Sequence, residues 1–162
     1  MTKDRAVALF DQWIEANENL KKELDYRTIK PNTKHKYKPW CHGTSQEVTL
    51  LMRFRANTVG FRWDHTNRKD YNKDTDTCSV CTCNKPDTVA HSMMECPRYA
   101  EARAKAVADL VKNMTPSQRT EWESRSDISH RASMMLSCPT AAWTQTTLEL
   151  LNEIQRIRQF QI

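Results

Sequence analysis

The sequence predicts a mostly α-helical protein, a small helical bundle interrupted by one irregular loop, and three observations predict it. Among 162 residues there are only two glycines, Gly43 and Gly60, and six prolines. Much of the rest is Ala, Leu, Met, Glu, Gln, Lys and Arg, side chains that lose little rotamer freedom in a helix. Several stretches repeat apolar residues three and four apart, as a helix buried on one face requires. Between them "CSVCTCNKPDTVAHSMMEC" crowds four cysteines and a histidine into nineteen residues without such periodicity. A chain of this length buries a core as one domain without disulfide staples.

Residues 4 to 24 read as an amphipathic helix, with Val7, Phe10 and Ile14 at helical spacing, Ala6 and Trp13 beside them, and acids interleaved. The pattern stops in "YRTIKPNTKHKYKPWCHG", residues 26 to 43, where Pro31, Pro39 and Gly43 point to an extended basic loop. Thr44 and Glu47 have the spacing of a capping box, so a second helix starts there, with Val48, Leu51, Met52 and Val59 as its apolar stripe and Gly60 as its stop. Arg53 and Arg55 fall off that stripe. A polar, irregular connection, "FRWDHTNRKDYNKDTDT", leads to the cysteine cluster.

Pro97 suits the first position of a helix through "RYAEARAKAVADLVKN", with Tyr99, Arg103, Val107 and Leu110 or Val111 on related faces. Thr115, Pro116 and Gln118 repeat the start signal for a short helix to about Glu123. Another spans Ile128 to Leu136 and stops before Pro139. The last begins near Thr140 and carries Trp143, Leu148, Leu151, Ile154 and Ile157. The single domain thus divides into an N-terminal helix (1–26), a basic loop (27–43), a central part with helix, cluster and following helix (44–113), and C-terminal helices (114–162).

No apolar run approaches the roughly 18 residues that span a bilayer, and residues 1 to 20 lack the apolar stretch of a signal peptide. Asp4, Asp11, Glu15 and Glu18 are also unlike an acid-poor transit peptide. An intracellular protein off the membrane is expected, in the nucleus or an organelle. In a reducing compartment, cysteines this close bind metal or do redox chemistry more often than they form structural disulfides. No strand and parallel-sheet pattern surrounds the cluster, which disfavours a thioredoxin-like redox pair.

Zinc in a structural site takes four soft or borderline ligands in a tetrahedron. Cys78 and Cys81 have the Cys-x-x-Cys spacing that spans one edge, and His91 and Cys96, with four residues between them, would lie on one side of a helical turn. These four form a closed set, Cys-x2-Cys-x9-His-x4-Cys, and make the irregular loop a zinc knuckle. Cys83 is an alternative ligand, since Cys81 and Cys83 can supply the first pair and leave Cys78 free. Cys41 and Cys138 lie apart and read as small buried hydrophobes. A complete protein ligand set favours a structural ion, with Glu95 the only nearby candidate base for a catalytic one. Metal loss is then expected to loosen the knuckle and the helix after Pro97, and to affect the first and last helices less.

The residues that carry a family resemblance are "DTVAHSMMECPRYAEAR", which follow the cysteine pair, and "VTLLMRFRANTVGFRW" upstream. Together they resemble the zinc-binding region near the C-terminus of non-LTR retrotransposon reverse transcriptases. That segment runs through paired cysteines, Glu-Thr-Val-Glu-His and Glu-Cys-Pro-x-Tyr into a helix. The similarity spans roughly residues 45 to 112. It implies a relative of the region beyond the polymerase thumb, which contacts RNA or DNA, either as an excised domain or as a stand-alone protein. The polymerase itself is absent, since no Tyr-x-Asp-Asp motif occurs and the chain is too short for fingers and palm. Ala90 replaces the family's Glu before the histidine, and Thr82 or Asn84 its glycine after the second cysteine.

The net charge of +5 is unevenly spread: residues 1–26 sum to −2, residues 27–73 to +8 and residues 74–162 to −1. Phosphates attract Lys and Arg, and unpaired bases stack on aromatic rings. Arg27, Lys30, Lys34, Lys36, Tyr37, Lys38, Trp40, Arg53, Arg55, Arg62, Arg68 and Lys69 are therefore the candidate contacts for RNA or single-stranded DNA. The expected function is a zinc-stabilised nucleic-acid-binding domain, not an enzyme. The alternative is a structural or adaptor subunit of a ribonucleoprotein or other assembly. In it zinc only ties the fold together, and the last helix docks through Trp143, Leu150, Leu151, Ile154 and Ile157.

Overall fold

Seven α-helices and a 3-10 turn make up the regular structure of a computed structural model that describes residues 5, 8, 9, 12, 26–29, 43–56 and 77–158. They are α1 (Tyr26–Ile29), α2 (Ser45–Arg55), α3 (Val89–Met94), the 3-10 turn (Pro97–Tyr99), α4 (Ala100–Asn113), α5 (Pro116–Ser124), α6 (Ile128–Ser137) and α7 (Ala141–Arg158). Among the described residues the expected mostly helical bundle with an irregular loop is what forms. Among the described residues there is no strand, only an isolated antiparallel bridge between Thr77 and Pro86. No described helix is long and apolar enough to cross a membrane. In the segment read as the first helix, the described positions Arg5, Ala8, Leu9 and Gln12 are helical.

Helix α6 is the hub: it packs against α1, α2, α3 and α7. It can do so because Ala132, Ser133, Met134, Met135 and Leu136 are all buried, with flexible methionines filling the gaps between unlike neighbours. Cys138 ends the helix in a left-handed conformation, φ 47°, just before Pro139. The carbonyl of Met135, one of the last four that lack an intrahelical partner, accepts from Trp143 Nε1 and Thr147 Oγ1, both at 3.0 Å. Those two bonds fasten α7 to α6.

Helix α7 also packs on α2, α3 and α4. Trp143, Leu148, Leu150, Leu151 and Ile154 are buried, and Ile157 is partly buried against the same core. This corrects the expectation that these residues form a docking surface: with four helices around it, α7 uses its apolar face inside the molecule. Among the described residues Leu9 is the only large apolar side chain that is substantially exposed.

The start signals behave as the sequence predicts. Thr44 Oγ1 accepts from Glu47 N while Glu47 Oε2 accepts from Thr44 N, and Thr115 with Gln118 repeats the arrangement. Replacing Thr115 by alanine should cost about 0.5–2 kcal/mol, the range for removal of an N-cap, read as a lower urea midpoint at unchanged slope. Two boundaries differ from expectation. Helix α2 ends at Arg55 with Ala56 as its cap, ahead of Gly60. The stretch read as an extended basic loop begins with a helical turn, α1, because Ile29 is fully buried and brings that turn onto α6.

Candidate metal centre

The knuckle is a loop closed at its base. Cys78 N donates to the Lys85 carbonyl at 2.9 Å, next to the Thr77–Pro86 bridge, so residues 78–85 return on themselves. The reversal requires a left-handed residue, and Asn84 provides it at φ 54°. Asparagine tolerates that region better than other non-glycine residues, so the loop forms without a glycine.

Helix α3 then delivers the histidine. Thr88 caps it by accepting from His91 N at 2.9 Å, and Val89, Ala90 and Met93 are buried beneath it. At its far end the His91 carbonyl accepts from both Glu95 N at 2.9 Å and Cys96 N at 2.7 Å, which widens the last turn. Cys96 leaves the helix at φ −53°, ψ 122°. His91 and Cys96 thus do not share one regular helical turn as expected; a widened helix end brings them together instead.

The side-chain donor atoms of Cys78, Cys81, His91 and Cys96 all lie within 4.8 Å of one another, close enough for one ion to reach all four. A tetrahedron with metal–sulfur bonds of about 2.3 Å and a metal–nitrogen bond of about 2.0 Å has edges of about 3.8 Å and about 3.5 Å. Cys78 Sγ to Cys96 Sγ is 4.0 Å and Cys81 Sγ to His91 Nε2 is 3.5 Å. These two edges are close to those a bound ion would require. Cys83 is exposed and lies outside the group of four, with its sulfur 2.7 Å from Cys81 Sγ and 3.6 Å from His91 Nε2. Cys78 and Cys81 share the group of four, while Cys83 stands beside Cys81 and the imidazole, so both pairings lie near the centre.

The electrostatics of the three ligand thiols differ. Burial pushes the Cys78 thiol up, but hydrogen bonds from His91, the Val80 backbone and Cys81, with the charge of Arg158, outweigh it and bring the pKa down to about 7. A thiol near that value is easily deprotonated into a ligand. Burial raises the Cys96 thiol instead, and burial together with the neighbouring Cys83 thiol raises that of Cys81. His91 turns Nε2 to the sulfurs and Nδ1 to Glu95 Oε2 at 3.4 Å, and Glu95 accepts from Lys85 Nζ at 2.8 Å. Burial opposes a charged His91, yet bonding to Cys78 and Glu95 raises its pKa. A carboxylate on the second ring nitrogen fixes tautomer and orientation, as in many metal sites.

One participant is not legible in the sequence. Arg158, in the last turn of α7, donates from Nη2 to Cys78 Sγ at 3.2 Å, from Nη1 to Asp87 Oδ2 at 3.1 Å, from Nη2 to Asp87 Oδ1, and from Nε to the Tyr99 hydroxyl at 3.1 Å. Its side chain is 5% exposed and that of Asp87 1%. Asp87 and Tyr99 sit inside the quoted motif, but no local spacing points to a partner 71 residues from Asp87.

The candidate nucleic-acid contacts are placed unevenly. Arg53 is half-buried on α2. Arg55 is a correction: it is fully buried, and its Nη2 donates to the Ile29 carbonyl, so it holds α1 against α2 and faces no solvent. Arg27 lies in α1, but its side chain is outside the described residues, as are Lys30, Lys34, Lys36, Tyr37, Lys38, Trp40, Arg62, Arg68, Lys69 and Cys41. Cys138 is buried as expected, which pushes its thiol up. Comparison of the chain with protein-family models, curated proteins and solved structures finds no match.

Proposed function

We propose that this chain is a zinc-stabilised nucleic-acid-binding domain, in which Cys78, Cys81, His91 and Cys96 hold a structural zinc ion and residues 27–69 contact RNA or single-stranded DNA. The observation that supports the zinc reading is the set of three sulfurs and one imidazole within 4.8 Å of one another. Four protein ligands leave no open position for water or substrate, as a catalytic zinc requires. Glu95, the carboxylate beside the imidazole, is engaged with His91 and Lys85. Zinc there supplies folding free energy by tying the 78–85 loop to the end of α3. No enzymatic activity is proposed.

The nucleic-acid reading draws on the net charge of +8 between residues 27 and 73 and on the aromatic residues Tyr37, Trp40, Phe61 and Trp63 among those bases. The resemblance to the region beyond the thumb of non-LTR reverse transcriptases supports the same reading. The apolar residues of α7 that the adaptor alternative draws on are buried within the chain, Ile157 partly so.

Titration of a labelled single strand at two salt concentrations tests the proposal. Neutralising Lys34, Lys36 and Lys38 together should weaken binding of all sequences alike and flatten the salt dependence, by about 0.7 in slope for each phosphate no longer neutralised. Trp40→Ala should cost about 1–3 kcal/mol of affinity if a base stacks on it, with little change in slope. Unchanged affinity in the triple variant, or a Trp40→Ala protein that melts earlier but binds as before, would remove residues 27–69 from the interface.

A further inference from the structure

A zinc ion bound by three thiolates and a neutral imidazole carries a formal charge of about −1, and a buried charge is costly unless it is paired and hydrogen-bonded. Cys78 and Cys96 are buried, so the centre needs a cation on its protein side. Lys85 is occupied at the surface with Glu95, and Arg103 reaches the carbonyl oxygen of Cys96 rather than its sulfur. Arg158 alone among them donates to a ligand sulfur, at 3.2 Å from Cys78 Sγ. Asp87 grips its guanidinium through both carboxylate oxygens, and Tyr99 accepts from Nε. The fork geometry leaves the orientation of the guanidinium little freedom, and that orientation aims Nη2 at Cys78.

We propose that Arg158 is a positioning residue for the metal centre: it supplies the counter-charge and an N–H···S bond to Cys78, so that metal binding and docking of the end of α7 are coupled. The inference rests on the zinc reading above. Coupling is reciprocal, so whatever factor a docked Arg158 adds to metal affinity, the metal adds to docking. A purely structural Arg158–Asp87 pair would hold α7 equally well with and without metal. The two roles therefore separate experimentally.

The test uses the full chain, stripped of metal and reloaded with Co2+ in competition with a chromophoric chelator. Arg158→Gln should bind the ion about 10–100-fold more weakly, as removal of a partner behind a ligand usually does. The sulfur-to-cobalt charge-transfer band should shift, because Cys78 loses an N–H donor. Arg158→Lys keeps the charge without the fork and should fall between the two, and it provides the readout if Arg158→Gln does not fold. In the wild-type protein, metal should slow amide exchange over residues 154–158. Wild-type affinity and spectrum in both variants, or exchange at 154–158 indifferent to metal, would overturn the role of Arg158 and leave the zinc site standing. A wild-type chain that binds neither Co2+ nor Zn2+ would overturn both.

Discussion

Removing the metal, by chelation or by Cys96→Ser, will sharply reduce protection of residues 77–99 against amide exchange and lower the melting temperature. The reason is that the regular structure of that region is short and its loop lightly closed. Helix α3 has six residues, far below the length of about 12 at which an isolated helix becomes even marginal in water. The loop before it is closed by the single Thr77–Pro86 bridge, whose bonds include that from Cys78 N to the Lys85 carbonyl. Structural zinc supplies an apparent 10–16 kcal/mol in small zinc peptides, comparable with the whole stability of about 5–15 kcal/mol of a typical domain. The buried residues Val89, Ala90 and Met93 will retain part of the packing against α6, so the loss stays regional at first. Metal analysis of the purified chain, with exchange measured before and after chelation, checks it. Cys78→Ser should lose the ion and Cys83→Ser should keep it; the opposite result would assign the ligand pair to Cys81 and Cys83. A metal-free chain with unchanged protection would contradict the prediction outright.

The end of α7 should loosen along with the knuckle, which the sequence does not lead one to expect. Sequence reasoning works where the determining interaction is local. Thr44 with Glu47 and Thr115 with Gln118 each lie three residues apart, so both capping boxes are visible in the sequence alone. The four candidate ligands fall within nineteen residues, and their spacing is itself the signal. Asn84 shows the limit of such reading: the missing glycine argues against a tight turn, yet asparagine takes the left-handed conformation in its place.

Long-range pairings leave no comparable trace. Arg55 reads as a solvent-facing base because it falls off the apolar stripe of α2, but the turn at Tyr26–Ile29 covers that side and offers it a carbonyl. Arg158 reads as an ordinary base in the last turn of a helix, favourable to the helix dipole and nothing more. The apolar face of α7 looks too wide for one small core because the sequence cannot show that α2, α3, α4 and α6 all meet it. In each case the residue type is legible and its partner is not.

Asp87→Ala should destabilise the chain by about 3–5 kcal/mol, the cost of leaving one member of a buried ion pair uncompensated. The size follows from burial: with side chains 1% and 5% exposed, Asp87 and Arg158 have no water to replace a missing partner. An exposed pair such as Lys105 with Glu149 is worth no more than about 1 kcal/mol by the same reasoning. Asp87→Asn keeps the shape and one acceptor oxygen, so it should lose less than Asp87→Ala. Replacing Asp87 and Arg158 together by leucine and methionine removes the charge imbalance, and the metal-loaded double variant should regain much of the stability that Asp87→Ala forfeits. Its metal affinity should nevertheless stay low, because Cys78 then has no guanidinium beside it. Urea denaturation at fixed free zinc measures the stabilities, and chelator competition on the same proteins measures the affinities. A loss below about 1 kcal/mol for Asp87→Ala would mean that the pair behaves as a solvated one.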